Sequence, residues 1–478
     1  MKVVLINAPR KIPQVADFPP LGLAYIGAVA KQAGHYVRII DAAAWSFDDL
    51  SQAVRREAPE VIGITCWTIE RGQAFKAAHV AKEAAPNARV IMGGPHATAF
   101  PEHMFLRAPT DYVALGEGEE TIQELLDVIA KDGDVSKVKG IAYQRDGECH
   151  RTERRPFITD LDSIPLPLHE EFDYRQYNGM HDSARRAAAI ITSRGCPFRC
   201  TFCSSTVYWG RKYRKRSVEN VLTEIELLYQ YHGIRALLFF DDNLVIDRNR
   251  CIALCQALCA RNNRRLRLTA KGMDLIWAAE GSVKVDPELL GWMKRAGCYR
   301  IDFGVESGSP KILKNINKAF TVQDTRNAFR LCREAGIRPN AYLMFGAPGE
   351  TRRTINETVR LMREISPTSL VGGRPGVWIL PDTELYELSK RQGIISDKTW
   401  LQTDETLYYT GEHSEKELLA LVRQYNRGMV RGAGWLMHLR LLWSQACQVL
   451  PRWVANLVFR LLRKLRGFAQ KINGRSTT

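Results

Sequence analysis

Short apolar strands alternate with amphipathic helices along most of this 478-residue chain. Helical stretches such as LGLAYIGAVAKQAG and RGQAFKAAHVAKEAA separate the first strands. Near-continuous apolar strands between helices are typical of a parallel, doubly wound sheet. The chain is therefore predicted to be an α/β protein with a Rossmann-like first domain. Its strand candidates are VVLINAP (3–9), YVRIIDA (36–42), VIGITCW (61–67), RVIMGGP (89–95) and DYVALGEG (111–118).

Two glycine-rich segments, GGPHAT (93–98) and GEGEET (116–121), follow strands of this series. Ligands of open α/β sheets bind at the carboxyl ends of the strands. Glycine there lets a bulky ligand come close to the backbone. The same segments are equally consistent with ordinary turns between strand and helix.

A second alternating series follows a charged, proline-rich connector at 140–185. Helices such as SVENVLTEIELLYQYHG and DTRNAFRLCREAG separate its strands. Six strand–helix units are too few for a complete eight-stranded barrel, and they predict a partial (β/α)6 barrel with chemistry at the carboxyl ends of the strands. The strand candidates are AAIITS (188–193), ALLFFDD (236–242), LRLTAKG (266–272), RIDFGVES (300–307), NAYLMFG (340–346) and SLVGGRPGVWIL (369–380).

Three cysteines in a C-x3-C-x2-C array, Cys196, Cys200 and Cys203, lie directly after the first barrel strand. Gly195 and Pro197 bend the chain there, so the segment is a loop whose thiolates can converge on one iron–sulfur cluster. No second pair follows at a zinc-finger spacing. These three cysteines are the predicted metal ligands, and the array leaves a fourth ligand to be found.

A second triplet, Cys251, Cys255 and Cys259, lies in the helical stretch CIALCQALC. Its members share one helix face but are separated by a rise of about 6 Å per step. A rigid helix cannot wrap such thiols around one compact cluster. We expect them to be small buried apolar side chains.

The motif SRGCPFRCTFC (193–203), on the loop after the first strand of a six-unit barrel, resembles the radical S-adenosylmethionine (SAM) superfamily. The aromatic Phe202 before the last cysteine is part of this likeness. The resemblance implies a 4Fe-4S cluster in which the amino and carboxylate groups of SAM coordinate the fourth iron, which has no cysteine ligand. It also implies an external electron donor such as flavodoxin or ferredoxin, and reductive cleavage of SAM to a 5′-deoxyadenosyl radical.

Further SAM contacts are predicted at the ends of later strands. The resemblance points to Glu306 and Ser307 in GVESGS, and glycine at Gly346 in MFGAPGET would let the backbone approach adenine. Asp241, followed by Asp242 and Asn243, ends the second strand. Acidic residues at strand ends also cap the following helix, so this alternative stays open for them.

The first domain resembles the cobalamin-binding domain of the cobalamin-dependent radical SAM subfamily, on the PPLGLAYIGAVAKQAGH stretch (19–35), GGPHAT and GEGEET. The D-x-H-x-x-G motif that supplies a lower-face histidine in many such domains is absent. Only His96 is a loop histidine placed for a similar role. The favoured alternative is that His96 is a turn residue or a hydrogen-bond donor to the corrin side chains. Cobalamin is thus expected without a protein histidine on cobalt. The predicted contacts are Gly93, Gly94, His96, Gly116, Glu117 and Gly118.

Together these resemblances imply methylation of an unactivated carbon on a small-molecule or lipid-like substrate. The same architecture supports oxidative cyclisation of a porphyrin ester and other radical rearrangements. Rival classes are a non-catalytic cobalamin- or cluster-binding sensor and a basic scaffold. Tyr208, Trp209 and Tyr213 follow the cysteine loop and either line the cavity or belong to the core.

The net charge of +16 is concentrated at the end of the chain, where residues 435–478 hold eight Arg or Lys and no Asp or Glu. The amphipathic pattern of 435–471 fits either a membrane interface or packing on the barrel. Nucleic acid is not expected, because no recognition motif accompanies the basic cluster. No stretch approaches the roughly 18 apolar residues that span a bilayer. With no export signal recognised, a cytoplasmic protein, peripheral to membrane at most, is predicted. The predicted regions are 1–139, the connector 140–185, the barrel 186–392 and a mainly helical 393–478.

Overall fold

The structure is a computed structural model, which describes residues 1–180, 182–183, 185–264, 274–368, 370–371 and 375–430. Two sheets flanked by helices organise these residues. The strands of the first sheet are β1 (Lys2–Asn7), β2 (Tyr36–Asp41), β3 (Val61–Thr65), β4 (Arg89–Gly93), β5 (Tyr112–Ala114), β6 (Ile141–Arg145) and β7 (Glu148–Arg151). Its helices are α1 (Leu21–Gln32), α2 (Phe47–Glu57), α3 (Arg71–Ala84), α4 (Pro95–Ala99), α5 (Pro101–Arg107) and α6 (Glu119–Ala130).

The first sheet has the order β2-β1-β3-β4-β5-β6-β7. Strands β1 to β5 are parallel, which confirms the doubly wound prediction, and β6 and β7 form an antiparallel hairpin at one edge. The first four residues of β3 are buried, because helices cover both faces of the sheet. The hairpin comes from the stretch predicted to be a connector, so the sheet extends beyond residue 139.

The second sheet is entirely parallel, in the order β15-β14-β13-β12-β11-β8. Its strands are β8 (Ala187–Ile190), β11 (Ala236–Phe239), β12 (Ile276–Gly281), β13 (Cys298–Glu306), β14 (Arg338–Leu343) and β15 (Leu370–Val371). A short antiparallel ribbon, β9 (Ser193–Arg194) with β10 (Arg214–Lys215), lies beside it. The helices of this part are α7 (Ser205–Tyr208), α8 (Val218–Tyr231), α9 (Arg248–Arg264), α10 (Pro287–Arg295), α11 (Pro310–Asn315), α12 (Val322–Glu334) and α13 (Arg352–Ile365).

The third strand of this sheet differs from the prediction. IWAAEG (276–281), which the sequence analysis missed, lies between β11 and β13. The predicted strand LRLTAKG falls at 266–272, outside the described residues. Trp277 and Ala279 of β12 pack in the core beneath the helices, and Ala278 belongs to a separate cluster on the other face. This alternation places Glu280 on the inner face of the partial barrel.

The C-terminal region contains α14 (Glu384–Arg391), α15 (Thr399–Gln402) and α16 (Glu415–Val430). Residues 403–414, between α15 and α16, are not helical. Trp400 of α15 is buried against His96 and Phe100 of the first domain, and Arg71 donates to the Thr403 carbonyl. The predicted amphipathic segment 435–471 lies outside the described residues. Within them, no helix combines the length and apolar character needed to cross a membrane.

Candidate active site

The cysteine motif lies on a loop, residues 195–213, which we call the cluster loop. Strands β9 and β10 close it at its base, where Arg194 pairs in register with Arg214. Gly195 has a φ of +86°, and a Cβ there would lie 2.4 Å from the Lys212 carbonyl oxygen. Only glycine fits this turn, because the two ends of the loop pass so close to each other.

Cys196, Cys200 and Cys203 are partly accessible and close to one another. Burial is the main cause that raises the pKa of the Cys203 thiol to about 11, and the neighbouring Cys200 and Cys196 act in the same direction. No three His, Cys, Asp or Glu side chains in the described ranges converge on a single metal ion. A cubane cluster has a different requirement, since each of its thiolates binds a separate iron. Three neighbouring loop thiols fit that donor set.

Lys318, which the sequence analysis missed, connects the cluster loop to the end of β13. Its Nζ lies 3.0 Å from Glu306 Oε1 and 5.5 Å from the centre of the Phe202 ring. Glu306 is 8% exposed and has a φ of +61° at an irregularity in the pairing of β13 with β14. The positive charge also lies near Cys200, because it acts to lower the pKa of that thiol. Phe202 and Glu306 thus lie beside the cysteines.

Asp241 and Asp242 point to different environments. Asp241 is buried, and its carboxylate accepts hydrogen bonds from the Thr192 amide and hydroxyl and from the Ser193 hydroxyl. This position does not fit the predicted cofactor contact, because the carboxylate holds the turn before the cluster loop. Asp242 is accessible, accepts a 2.5 Å hydrogen bond from Ser205, and lies near Cys196 and Cys203. Asp242 is therefore the carboxylate that faces the cluster loop.

Ser307 and Gly346 also differ from their predicted roles. Ser307 is 1% exposed, and its hydroxyl lies 3.1 Å from the Thr358 hydroxyl and accepts from the Ser309 amide. A Cβ on Gly346 would lie 2.4 Å from a Leu418 methyl group, so this glycine is needed for packing against α16. Both residues therefore pack inside the protein, where they support the carboxyl ends of the barrel strands.

Polar side chains line one inner wall of the partial barrel. Asn340 donates to Asp302 at 2.7 Å, and Tyr342 donates to Glu280 at 3.3 Å. Arg300 Nε lies 3.1 Å from Asp302. Burial is the main cause that raises the pKa of Glu280 to about 7, and the Asp302 charge acts in the same direction. This wall offers hydrogen-bond donors, acceptors and negative charge.

The carboxyl edge of the first sheet is open and carries accessible apolar side chains. Ile12 follows β1, Trp45 follows β2 and Trp67 follows β3, with exposures of 77%, 37% and 48%. Gly94, at a φ of +99°, brings the chain after Gly93 against Cys66, where a Cβ would lie 3.0 Å from the Cys66 carbonyl oxygen. An accessible sheet edge with exposed aromatic rings fits a large flat ligand such as a corrin.

His96 does not lie on this open edge. It is fully buried and surrounded by the rings of Phe75, Phe100, His103 and Trp400. Burial lowers its pKa to about 3, so the ring is neutral. The predicted contact with the corrin therefore does not fit its position.

The GEGEET loop divides between the open edge and the interior. A Cβ on Gly116 would meet nothing within 4 Å, whereas one on Gly118 would lie 2.8 Å from Ile26. Both carboxylate oxygens of Glu117 bind Arg214, and one also binds Arg194. Glu117 thus has no free oxygen for the predicted cofactor contact, and Gly118 serves packing.

The aromatic residues after the cysteines lie close to the site. Burial raises the pKa of Tyr208, and the charges of Asp242 and Cys203 raise it further. The Trp209 ring lies 4.6 Å from the Arg194 guanidinium, and Tyr213 is partly exposed. Tyr208 therefore adjoins the cluster loop, whereas Trp209 packs at its base.

Two family models match the chain in order. The B12 binding domain matches residues 14–126, and the radical SAM superfamily matches residues 190–362. An uncharacterized methyltransferase of Pyrococcus horikoshii is 32% identical over 410 residues, which cover 84% of this chain and 85% of that protein. Cytidylyl-2-hydroxyethylphosphonate methyltransferase of Streptomyces wedmorensis is 29% identical, and the match covers 83% of this chain and 86% of that protein. Anaerobic magnesium-protoporphyrin IX monomethyl ester cyclase of Cereibacter sphaeroides is 33% identical, and the match covers 73% of this chain and 57% of that protein.

Among solved structures, the radical SAM methyltransferase TsrM from Kitasatospora setae, with cobalamin and a [4Fe-4S] cluster bound, aligns with a TM-score of 0.67. It is 20% identical, and the alignment covers 82% of this chain and 78% of that chain. At this identity the likeness concerns the fold alone, a doubly wound domain followed by a partial barrel, in agreement with the order of the two family models. The matched domains, the loop cysteines and the relative of similar length all agree: this chain belongs to the cobalamin-dependent radical SAM enzymes, whose cofactors are a 4Fe-4S cluster, SAM and cobalamin.

Proposed function

We propose that this enzyme methylates an unactivated carbon of a small polar molecule. One observation carries the proposal: the start of α1, at the otherwise open carboxyl edge of the first sheet, packs against the inner face of the partial barrel. Leu21, at that edge, shares an apolar cluster with Ala189 of β8 and Leu238 of β11. The backbone of Ala16 and Asp17 also accepts hydrogen bonds from Asn178 and Gly179, just before β8. A cobalamin on this edge and a SAM on the barrel rim would therefore face one cavity.

The bound cofactors would supply radical initiation and the methyl group, and the chain would supply position and shielding. Cys196, Cys200 and Cys203 would hold three irons and leave the fourth for SAM. Glu306, paired with Lys318, and the accessible Asp242 would then lie beside the bound SAM. The exposed Trp45 and Trp67 would cover apolar corrin surface and exclude water from the reacting carbon.

The polar inner wall supports a substrate that carries hydroxyl or amino groups. Glu280, Arg300 and Tyr342 are partly accessible on the inner faces of β12, β13 and β14. An alkyl chain against these groups would exclude water from them and leave the hydrogen-bonding capacity that they do not use within the wall unsatisfied, which costs about 1–3 kcal/mol per unsatisfied group. The Streptomyces relative acts, by its name, on a cytidylyl phosphonate, which is also a polar molecule.

Label transfer tests the proposal. The reconstituted enzyme, with hydroxocobalamin, a reductant and methyl-deuterated SAM, is incubated anaerobically with an extract of the cells that express it. Deuterated methyl is expected in the water-soluble fraction, together with 5′-deoxyadenosine. The Cys200→Ala variant is the control and should yield neither. Label in the lipid fraction would contradict the polar substrate.

Oxidative cyclisation, the alternative left open by the sequence, is separated by the same experiment. It would produce 5′-deoxyadenosine and a new product without deuterium, because no methyl group is transferred. That outcome would overturn the methyltransferase proposal and leave the radical SAM assignment intact.

The electron donor that we propose is an acidic carrier of the flavodoxin or ferredoxin type. Residues 193–217 contain no Asp or Glu, and Arg199, Arg211 and Lys212 of the cluster loop are exposed. Exposed cations near the cluster would attract a negatively charged partner. Replacing all three by Glu should slow reduction by flavodoxin at least tenfold and leave reduction by dithionite unchanged, with a tenfold change corresponding to about 1.4 kcal/mol. Equal slowing with both reductants would contradict this docking surface.

A further inference from the structure

Glu117 of the first domain contacts both strands at the base of the cluster loop. Its Oε1 accepts from Arg194 of β9 at 2.9 Å, and both of its oxygens accept from Arg214 of β10 at 2.8 Å. Glu119 binds the other Arg194 nitrogen at 2.5 Å. Because Arg194 and Arg214 are partners in the ribbon, one carboxylate ties both strands to the first domain.

This group of charges is buried. The side chains of Glu117 and Arg194 are 3% and 4% exposed, and that of Arg214 is 3% exposed. Arg214 also donates to the carbonyls of Ile158 and Trp209, which fixes its guanidinium in one orientation. Removal of one partner from a buried ion pair leaves a charge without compensation, so its effect exceeds that of losing a surface pair.

This group of charges joins the base of the cluster loop to the segment that follows β5 of the first domain. Arg194 precedes Cys196 by two residues, with the constrained Gly195 between them. Glu117 directly follows Gly116, whose Cβ direction is open at the carboxyl edge of the first sheet. A displacement at either end would therefore be passed through one carboxylate to the other.

We propose that Glu117 is a positioning residue that locks the cluster loop to the cobalamin-binding domain and so holds the cluster and the cobalt at one separation. The proposal rests on the two cofactors and does not depend on which bond the enzyme finally forms. Glu117 itself touches neither reacting centre, since both of its oxygens are engaged by arginines.

The test is a distance measurement in the holoenzyme. The reconstituted protein is reduced so that the cluster and cob(II)alamin are both paramagnetic, and pulsed EPR gives the distribution of distances between them. The unaltered protein should give one narrow distribution. Glu117→Gln keeps the size of the side chain and removes its charge; it should bind iron and cobalamin to the same stoichiometry and give a broadened or shifted distribution.

A matched variant separates positioning from general stability. Glu224 of α8 is fully buried and pairs with His169 and with Arg216, and Arg216 also donates to the Tyr25 hydroxyl of α1. This second buried group of charges thus reaches the first domain without binding Arg194 or Arg214. Glu224→Gln should lower stability and leave the distribution narrow. Should Glu117→Gln be insoluble, Arg214→Lys decides in its place, because lysine cannot reach the carboxylate and both carbonyls together. The proposal would be overturned by a narrow, unshifted distance distribution in Glu117→Gln, or in Arg214→Lys where that variant replaces it. Equal broadening in Glu224→Gln would also overturn it, whether or not methyl transfer is observed.

Discussion

The two cysteine triplets of this chain have the same composition and opposite surroundings. Cys196, Cys200 and Cys203 lie on a loop and are partly accessible. Cys251 and Cys255 lie on helix α9, are each 1% exposed, and pack in the core beneath the barrel strands. A hydrogen bond with Cys251 raises the pKa of Cys255, and burial raises it further, so the Cys255 thiol stays protonated.

The difference shows that local backbone, and not the number of cysteines, decides which triplet can bind metal. A loop bent by Gly195 and Pro197 can bring three thiols to three irons. A helix spaces its thiols along one face and presents them to the core. The predictions below test this contrast in order of decreasing effect.

The largest effect is expected from the loop triplet. Replacing Cys196, Cys200 or Cys203 by Ala removes one of three protein ligands and should abolish both cluster assembly and SAM cleavage. Iron analysis and detection of 5′-deoxyadenosine after anaerobic reconstitution measure this. Replacing all three helix cysteines by Ala is the control and should leave both intact. Cleavage that survives in a loop variant would contradict the assignment.

Thiol reactivity in the iron-free protein should separate the triplets next. The thiolate is the reactive form, so below its raised pKa of about 11 the rate of alkylation of Cys203 should increase about tenfold per pH unit. Cys251 and Cys255 should react only on unfolding, at every pH tested. Mass spectrometry of iodoacetamide adducts between pH 7 and 10 follows both. Equal labelling of the two triplets in the folded protein would refute the contrast.

A smaller effect is expected from the contacts of the loop triplet. Lys318→Met leaves the buried Glu306 without its cation and should weaken SAM binding about tenfold, or about 1.4 kcal/mol. Equilibrium binding of SAM to the reconstituted protein gives the affinity. Lys314→Met, at an exposed position on α11, is the matched control and should have no effect. Equal affinities for SAM in the two variants would show that Lys318 has no role in SAM binding.

The smallest effect is expected from Cys255→Ala. Deleting one buried sulfur should lower the free energy of unfolding by about 1 kcal/mol, within the ordinary range for point changes in a core. Denaturant unfolding measures this, with partly exposed Cys259→Ala as the milder control. Iron content should not change in either variant, and loss of iron in Cys255→Ala would contradict a purely structural role.

The sequence predicted features that depend on neighbours along the chain. Strand–helix alternation predicted both sheets, and Gly195 and Pro197 identified the cluster loop. The partners of Glu117 could not be predicted in the same way, because Arg194 lies 77 residues away and meets it only when the domains pack. Lys318 has no motif of its own and reaches Glu306 from the far end of the following helix. The strand IWAAEG was missed because LRLTAKG, just before it, has similar apolar character.

Direct ligation of SAM to the cluster tests the central claim most sharply. The reconstituted, reduced protein is mixed with SAM carrying magnetic isotopes at its amino nitrogen and carboxylate oxygens, and electron–nuclear double resonance is recorded. If the three loop cysteines leave one iron open, strong couplings from both labelled groups are expected, and they should be unchanged when all three helix cysteines are replaced by Ala. A four-iron cluster with no coupling to either group would contradict the account.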